Sequence, residues 1–212
     1  MIFAIKWRTF AFYFRKIIMD KISYALGLSI GNNFKSSGIN KLNLSEFSKA
    51  IEDVLNDTTP AMNYEEAKQV INDYFGKLQS EKADLNKNAG EEFLRINQNK
   101  AGVITLPSGL QYEVLKEGTG IRPKATDQVK CHYEGRLIDG RVFDSSIKRG
   151  EPATFGLNQV IKGWTEALQL MPVGSKWRLF LPSELAYGSQ QAGELIEPNS
   201  TLVFEVELLD VV

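Results

Sequence analysis

The hydrophobic period of this chain changes once, at Leu106–Pro107–Ser108–Gly109, from about 3.6 residues to about 2. A chain that switches in this way is neither a bundle nor a sheet throughout. It is α+β, with an all-helical part first and a sheet after it. Upstream, Ile22, Ala25, Leu26, Ser29 and Ile30 recur at helical spacing, and Gly38 ends the run. Asn43 with Glu46 reads as a capping box for a helix carrying Leu44, Phe47, Ala50, Ile51, Val54 and Leu55. Asn63 with Glu66 is a second such box, opening a run through Ala67, Val70, Ile71, Tyr74, Phe75 and Leu78. No proline interrupts Met62 to Thr105, so this last helix can reach about 35 residues, or ~50 Å.

The long helix changes character along its length. Its apolar stripe is dense up to Leu78, then charged and amide side chains dominate Gln79 to Lys100. Residues 79–105 are therefore expected to form an exposed connecting helix, following a helical domain over 20–78. That domain carries more apolar positions than three short helices bury alone, among them Ile30, Phe34, Phe47, Ile51 and Phe75. Two copies sharing a core in a C2 dimer is one reading, and a small monomeric helical domain with a linker is the other.

Downstream, Leu110, Tyr112 and Val114 alternate with polar residues, as do Val129, Cys131 and Tyr133. Trp177, Leu179 and Leu181 share one face, and so do Leu202, Phe204, Val206 and Leu208. Asp139–Gly140 marks a hairpin. One short helix presents Val160, Ile161, Trp164, Ala167 and Leu168, and Pro172 and Gly174 stop it. Residues 106–212 are thus expected to be an antiparallel sheet wrapped on one helix.

Composition narrows the chemistry. Lysine plus arginine number 25 against 26 acidic residues, which leaves no electrostatic case for nucleic acid. One cysteine and one histidine provide no disulfide framework, zinc cluster or histidine relay, so neither metal nor cofactor is expected. Cys131 and His132 are neighbours on a strand and point to opposite faces, Cys131 inward and His132 toward solvent. Gly118–Thr119–Gly120 has Pro123 at the third glycine position of a dinucleotide loop and reads as a turn.

The first eighteen residues are apolar and basic, but their longest uncharged run, Thr9 to Phe14, is too short for a membrane span. Three readings stand: Met19 as the true start, an ordinary N-terminal helix, or an amphipathic membrane-surface or export segment. A cytoplasmic location is the default, and export or membrane association follows only from the third.

Tyr133, Phe143, Phe155, Trp164, Tyr187 and Phe204 concentrate aromatic surface in the second half. An aromatic core accounts for most of them. Asp144 beside Phe143, and Tyr187 among loop residues, instead suggest polar heads opening onto an apolar pocket.

Six stretches carry a specific resemblance: VKCHYEG (129–135), GRVFDSS (140–146), VIKGW (160–164), MPVGSK (171–176), AYG (186–188) and TLVFEVELL (201–209). In this order and spacing, residues 109–212 resemble the FKBP-type peptidyl-prolyl cis–trans isomerases of the macrolide-binding immunophilin family. YALGLSIG at 24–31 and the long helix resemble the two-domain bacterial Mip-like members.

The resemblance implies an isomerase of X–Pro bonds in unfolded polypeptides, a homodimer through 20–78, a folding-helper role and macrolide inhibitors as ligands. It places an indole floor at Trp164 beside Val160 and Ile161, walls at Tyr133, Phe143, Phe155 and Phe204, and a loop side at Leu195 and Ile196. The Ile161 N–H and Tyr187 hydroxyl would donate to ligand carbonyls, and Asp144 would accept from the Tyr133 hydroxyl. Three rim positions depart from the family pattern: Ala153 where many members carry phenylalanine, Ala192 where some carry histidine, and Glu197 for the first of two prolines. These bear on macrolide affinity and substrate preference. The competing reading is a catalytically weak binding or chaperone module of the same fold, which has less use for the polar heads Asp144 and Tyr187.

Overall fold

The computed structural model describes residues 20–212, and the readings given for the N-terminal segment lie outside the described residues. The chain divides into two compact units, one ending at Ile71 and one running Asn72–Val212. No helix among the described residues is long and apolar enough to cross a membrane.

The first unit holds α1 (Lys21–Ser36), α2 (Leu44–Leu55) and the opening turns of α3 (Tyr64–Asn97). The starts fall where the capping residues predict. Asn43 Oδ1 accepts from the Ser45 N–H at 3.1 Å and the Glu46 N–H at 3.4 Å, and Asn63 Oδ1 from the Glu66 N–H at 2.9 Å. At the end of α1, Gly38 takes a left-handed conformation (φ 83°) while the Ile39 N–H returns to the Phe34 carbonyl at 2.8 Å. The unit hides little of its apolar surface. The Phe34 and Phe47 rings meet edge-on at 5.4 Å, yet no residue of α1 or α2 is buried.

The second unit is built on a seven-stranded antiparallel sheet. Its strands are β1 (Val103–Thr105), β2 (Gln111–Lys116), β3 (Gln128–Leu137), β4 (Val142–Ser145), β5 (Ala153–Gly156), β6 (Lys176–Leu181) and β7 (Leu202–Val211). They run in the order β1–β2–β6–β7–β3–β4, with β5 paired to β3. The helical turn α4 (Ser146–Arg149) follows β4, and α5 (Lys162–Leu170) supplies Gly163, Trp164, Ala167 and Leu168 to the core. The alternation read in the sequence is the alternation of burial: Val129, Cys131 and Tyr133 on β3, and Leu202, Phe204, Val206 and Leu208 on β7, face inward. Each fully buried leucine of this set contributes about 2 kcal/mol.

The helix expected to be exposed over 79–105 differs in two respects. It ends at Asn97, and Val103–Thr105 pair with β2 as a strand. Its last turns are also not bare, because Gly90 and Asn97 are buried and the Phe93 ring lies 6.0 Å from that of Phe180. Asn97 Nδ2 donates to Gln111 Oε1 at 2.9 Å, and Gln111 Nε2 donates to the Leu94 carbonyl at 3.0 Å. This packing explains why Gln111 and Phe180 are buried on positions where strand alternation alone points outward. On the helix side a glycine, one amide and one phenylalanine make the seam, so no apolar stripe announces it.

Candidate active site

Three strands and one short helix bring the aromatic residues together. Tyr133 from β3, Phe155 from β5 and Phe204 from β7 surround Trp164 of α5, with ring centroids 5.2, 5.6 and 5.3 Å from the indole. All three meet it nearly perpendicular, at 86°, 87° and 81°, which sets ring edges against ring faces as the quadrupoles favour. Phe143 of β4 extends the cage, edge-on to Phe204 at 5.5 Å. Trp164 and Phe204 are buried, so the floor is rigid.

Beside the cage opens a cavity of about 400 Å³ lined by Phe143, Asp144, Tyr187, Ala192, Leu195 and Ile196, among others. Tyr187 is 40% exposed at its rim. Val160 and Ile161 precede α5 and pack half-buried against the core without lining this cavity. Ile161 is the N-cap residue of α5, with extended backbone (φ −60°, ψ 149°). Of the three rim departures, Ala192 lines the cavity. Ala153 sits on β5 opposite Cys131, and Glu197 bonds away from the cavity.

The polar edge is tighter than the sequence suggests. The Tyr133 hydroxyl donates to Asp144 Oδ2 at 2.5 Å. Arg149, from α4, donates through Nη1 to Asp144 Oδ1 and through Nη2 to the Tyr133 oxygen at 2.9 Å. Its guanidinium also lies over the Tyr133 ring, 5.6 Å from the centroid. Sequence reading missed Arg149. It stands five residues beyond Asp144 across a one-turn helix, and the only local signal is Ser145, whose hydroxyl caps that turn.

Partial burial raises the Asp144 pKa, but hydrogen bonds from Tyr133 and Arg149 outweigh it and bring the carboxyl below its ordinary value. Burial and the bond to Asp144 push the Tyr133 hydroxyl up. At neutral pH the pair is therefore a phenol donating to a carboxylate. Burial alone pushes the Cys131 thiol up to about 12, so it is no thiolate nucleophile. His132 departs slightly from expectation: it is half-buried, with Nδ1 3.1 Å from Ser146 Oγ.

Known proteins share this chain's sequence and fold. Residues 119–209 match the family described as FKBP-type peptidyl-prolyl cis-trans isomerase, and residues 19–114 match the domain amino terminal to it. The FKBP-type peptidyl-prolyl cis-trans isomerase FkpA of Aeromonas hydrophila is 50% identical over 92% of this chain and 76% of its own length. The FKBP-type 22 kDa peptidyl-prolyl cis-trans isomerase of Escherichia coli is 45% identical over 92% of this chain and 96% of its own. The crystal structure of FkpA from Escherichia coli aligns with a TM-score of 0.74 at 37% identity, covering 92% of this chain and 97% of that one. The two-part organisation, the sheet wrapped on one helix and the extent of these matches lead to one conclusion: the chain belongs to the FKBP-type peptidyl-prolyl cis–trans isomerases, enzymes that turn X–Pro peptide bonds.

Proposed function

We propose that the X–Pro bond is turned in the slot between Trp164, Phe143, Phe155 and Phe204, without covalent or acid–base chemistry. The observation that carries this is the edge-on aromatic cage beside a cavity with the Tyr187 and Asp144 heads at its border. Rotation about X–Pro crosses a barrier of ~18–20 kcal/mol that amide resonance sets. At the top of that barrier the amide is twisted and less dipolar. A dry aromatic slot therefore disfavours the planar ground state more than the twisted one. The Tyr187 hydroxyl and the Ile161 N–H hold neighbouring carbonyls, so one side of the bond stays fixed while the other turns. Arg149 and Asp144 hold the Tyr133 ring in the wall.

The experiment is exchange or protease-coupled isomerisation of a short X–Pro peptide, with and without a macrolide. Wild type accelerates it and the macrolide competes. Tyr187→Phe removes one neutral hydrogen bond and should lower kcat/KM about fivefold. The melting temperature should not move, because Tyr187 stands at the rim. Tyr187→Phe activity equal to wild type would exclude the anchoring role.

The substrates in this reading are flexible, proline-containing polypeptides, and the helical unit serves to pair two copies. Its exposed Ile22, Leu26, Leu28, Val54 and Leu55 support that pairing, since a lone copy leaves them in water. A dimer brings two slots to one unfolded chain and raises avidity, which is the basis for a folding-helper role. Phe47 is half-buried against Phe34 on this unit. Phe47→Asp would put a carboxylate into each half of the shared core, at a cost of several kcal/mol per copy. Sedimentation should give twice the chain mass for wild type and the monomer mass for the variant, with short-peptide turnover retained. A wild-type monomer at micromolar concentration would refute the dimer.

A further inference from the structure

The loop after Tyr187 carries the far wall of the slot, and α3 grips that loop from behind. At its base the Asn199 N–H donates to the Gly188 carbonyl at 2.8 Å, and Ala192 and Ile196 exchange backbone hydrogen bonds at 2.9 and 3.3 Å. From α3, Lys82 Nζ pairs with Glu197 Oε1 at 3.2 Å. Asn86 Nδ2 reaches Glu197 Oε2 at 3.4 Å and the Pro198 carbonyl at 3.0 Å. Asn199 Nδ2 donates to the Ala83 carbonyl at 3.4 Å. Ala83 and the series Lys82, Asn86 and Gly90, four residues apart, fall on one side of the helix. Gly90 lets that side approach, since a Cβ there would collide with the Thr201 hydroxyl.

Ile196 and Glu197 are adjacent. The first is 5% exposed and lines the cavity, and the second bonds outward to α3. We propose that Lys82 and Asn86 are positioning residues for this isomerase: by holding Glu197 and Pro198 they set where Leu195 and Ile196 stand, and so select the residue preceding proline. The proposal rests on the slot reading above. It also accounts for the glutamate at a place where the family pattern carries proline, because a proline side chain offers these donors nothing. The Lys82 and Glu197 side chains are 46% and 43% exposed, and such a pair adds little to global stability. Its effect therefore belongs in substrate choice and not in melting temperature.

The test measures kcat and KM of the full-length protein on two tetrapeptides, Leu–Pro and Ala–Pro at the turned bond. Lys82→Glu sets two carboxylates against each other and drives the loop toward the slot. The Leu-to-Ala ratio of kcat/KM should fall about threefold, through KM, with the melting temperature within about two degrees of wild type. Asn86→Ala should move the ratio in the same direction. The exchanged pair Lys82→Glu/Glu197→Lys should restore it. A ratio unchanged or raised in Lys82→Glu, or unrestored in the exchanged pair, overturns the positioning role of Lys82 and Asn86 while wild type remains active. A wild type that turns over neither peptide overturns the slot reading itself.

Discussion

Gly135→Ala should lower kcat/KM on X–Pro peptides at least about tenfold and destabilise the second unit by about 1–3 kcal/mol. Gly135 lies on β3 between the inward-facing Tyr133 and Leu137. The Phe143 and Phe204 rings close over it: a Cβ there would stand 2.6 Å from Phe143 Cε2 and 2.7 Å from Phe204 Cε1. Both contacts are with rings, and Phe204 is only 4% exposed, so it does not swing away freely. The cage must open by several tenths of an ångström, which loosens the edge-on packing on Trp164. One methyl group thus acts on fold and slot together. Calorimetry and the peptide assay on the same preparation check both. A Gly135→Ala enzyme within twofold of wild type would mean that Phe143 and Phe204 are not where the proline ring sits.

Much of this was legible in the sequence where packing follows period. The strands β3 and β7 bury the residues that alternation turns inward, and Asn43 and Asn63 cap their helices as local chemistry requires. The aromatic residues could be assigned to one slot only through the family resemblance, because periodicity does not separate a pocket wall from a core. What stayed hidden depends on contacts between elements. The seam of α3 on the sheet uses Gly90, Asn97 and a lone Phe93, which no hydrophobic pattern marks. Arg149 reaches Tyr133 and Asp144 only because α4 folds back over β3 and β4. Glu197 reads as a rim residue until the helix behind the loop is seen.

The second large effect belongs to Asp144. Asp144→Leu removes the acceptor of the Tyr133 hydroxyl and leaves Arg149 over the ring without its carboxylate. Hydrogen bonds to a charged group contribute about 1.5–3 kcal/mol, so a loss of about tenfold or more in kcat/KM is expected. Asp144→Asn keeps the shape and one acceptor and should fall between. The Asp144 pKa is lowered in the folded protein, so the contribution of the ion is present above the ordinary carboxylate value and is lost as pH falls through the lowered one. The profile of kcat/KM should therefore be level from about pH 6 to 9 and decline only in acid.

Non-covalent turning of the bond is tested most directly by kcat/KM for one short Leu–Pro peptide, measured side by side for wild type, Asp144→Leu and Cys131→Ser. Cys131 is buried in the core as a protonated thiol, and Asp144 orients Tyr133 in the wall of the slot. The predicted result is a loss of about tenfold for Asp144→Leu with the fold intact, and activity within about threefold of wild type for folded Cys131→Ser. A folded Cys131→Ser protein that no longer turns the bond, or an Asp144→Leu protein that turns it at the wild-type rate, would contradict it.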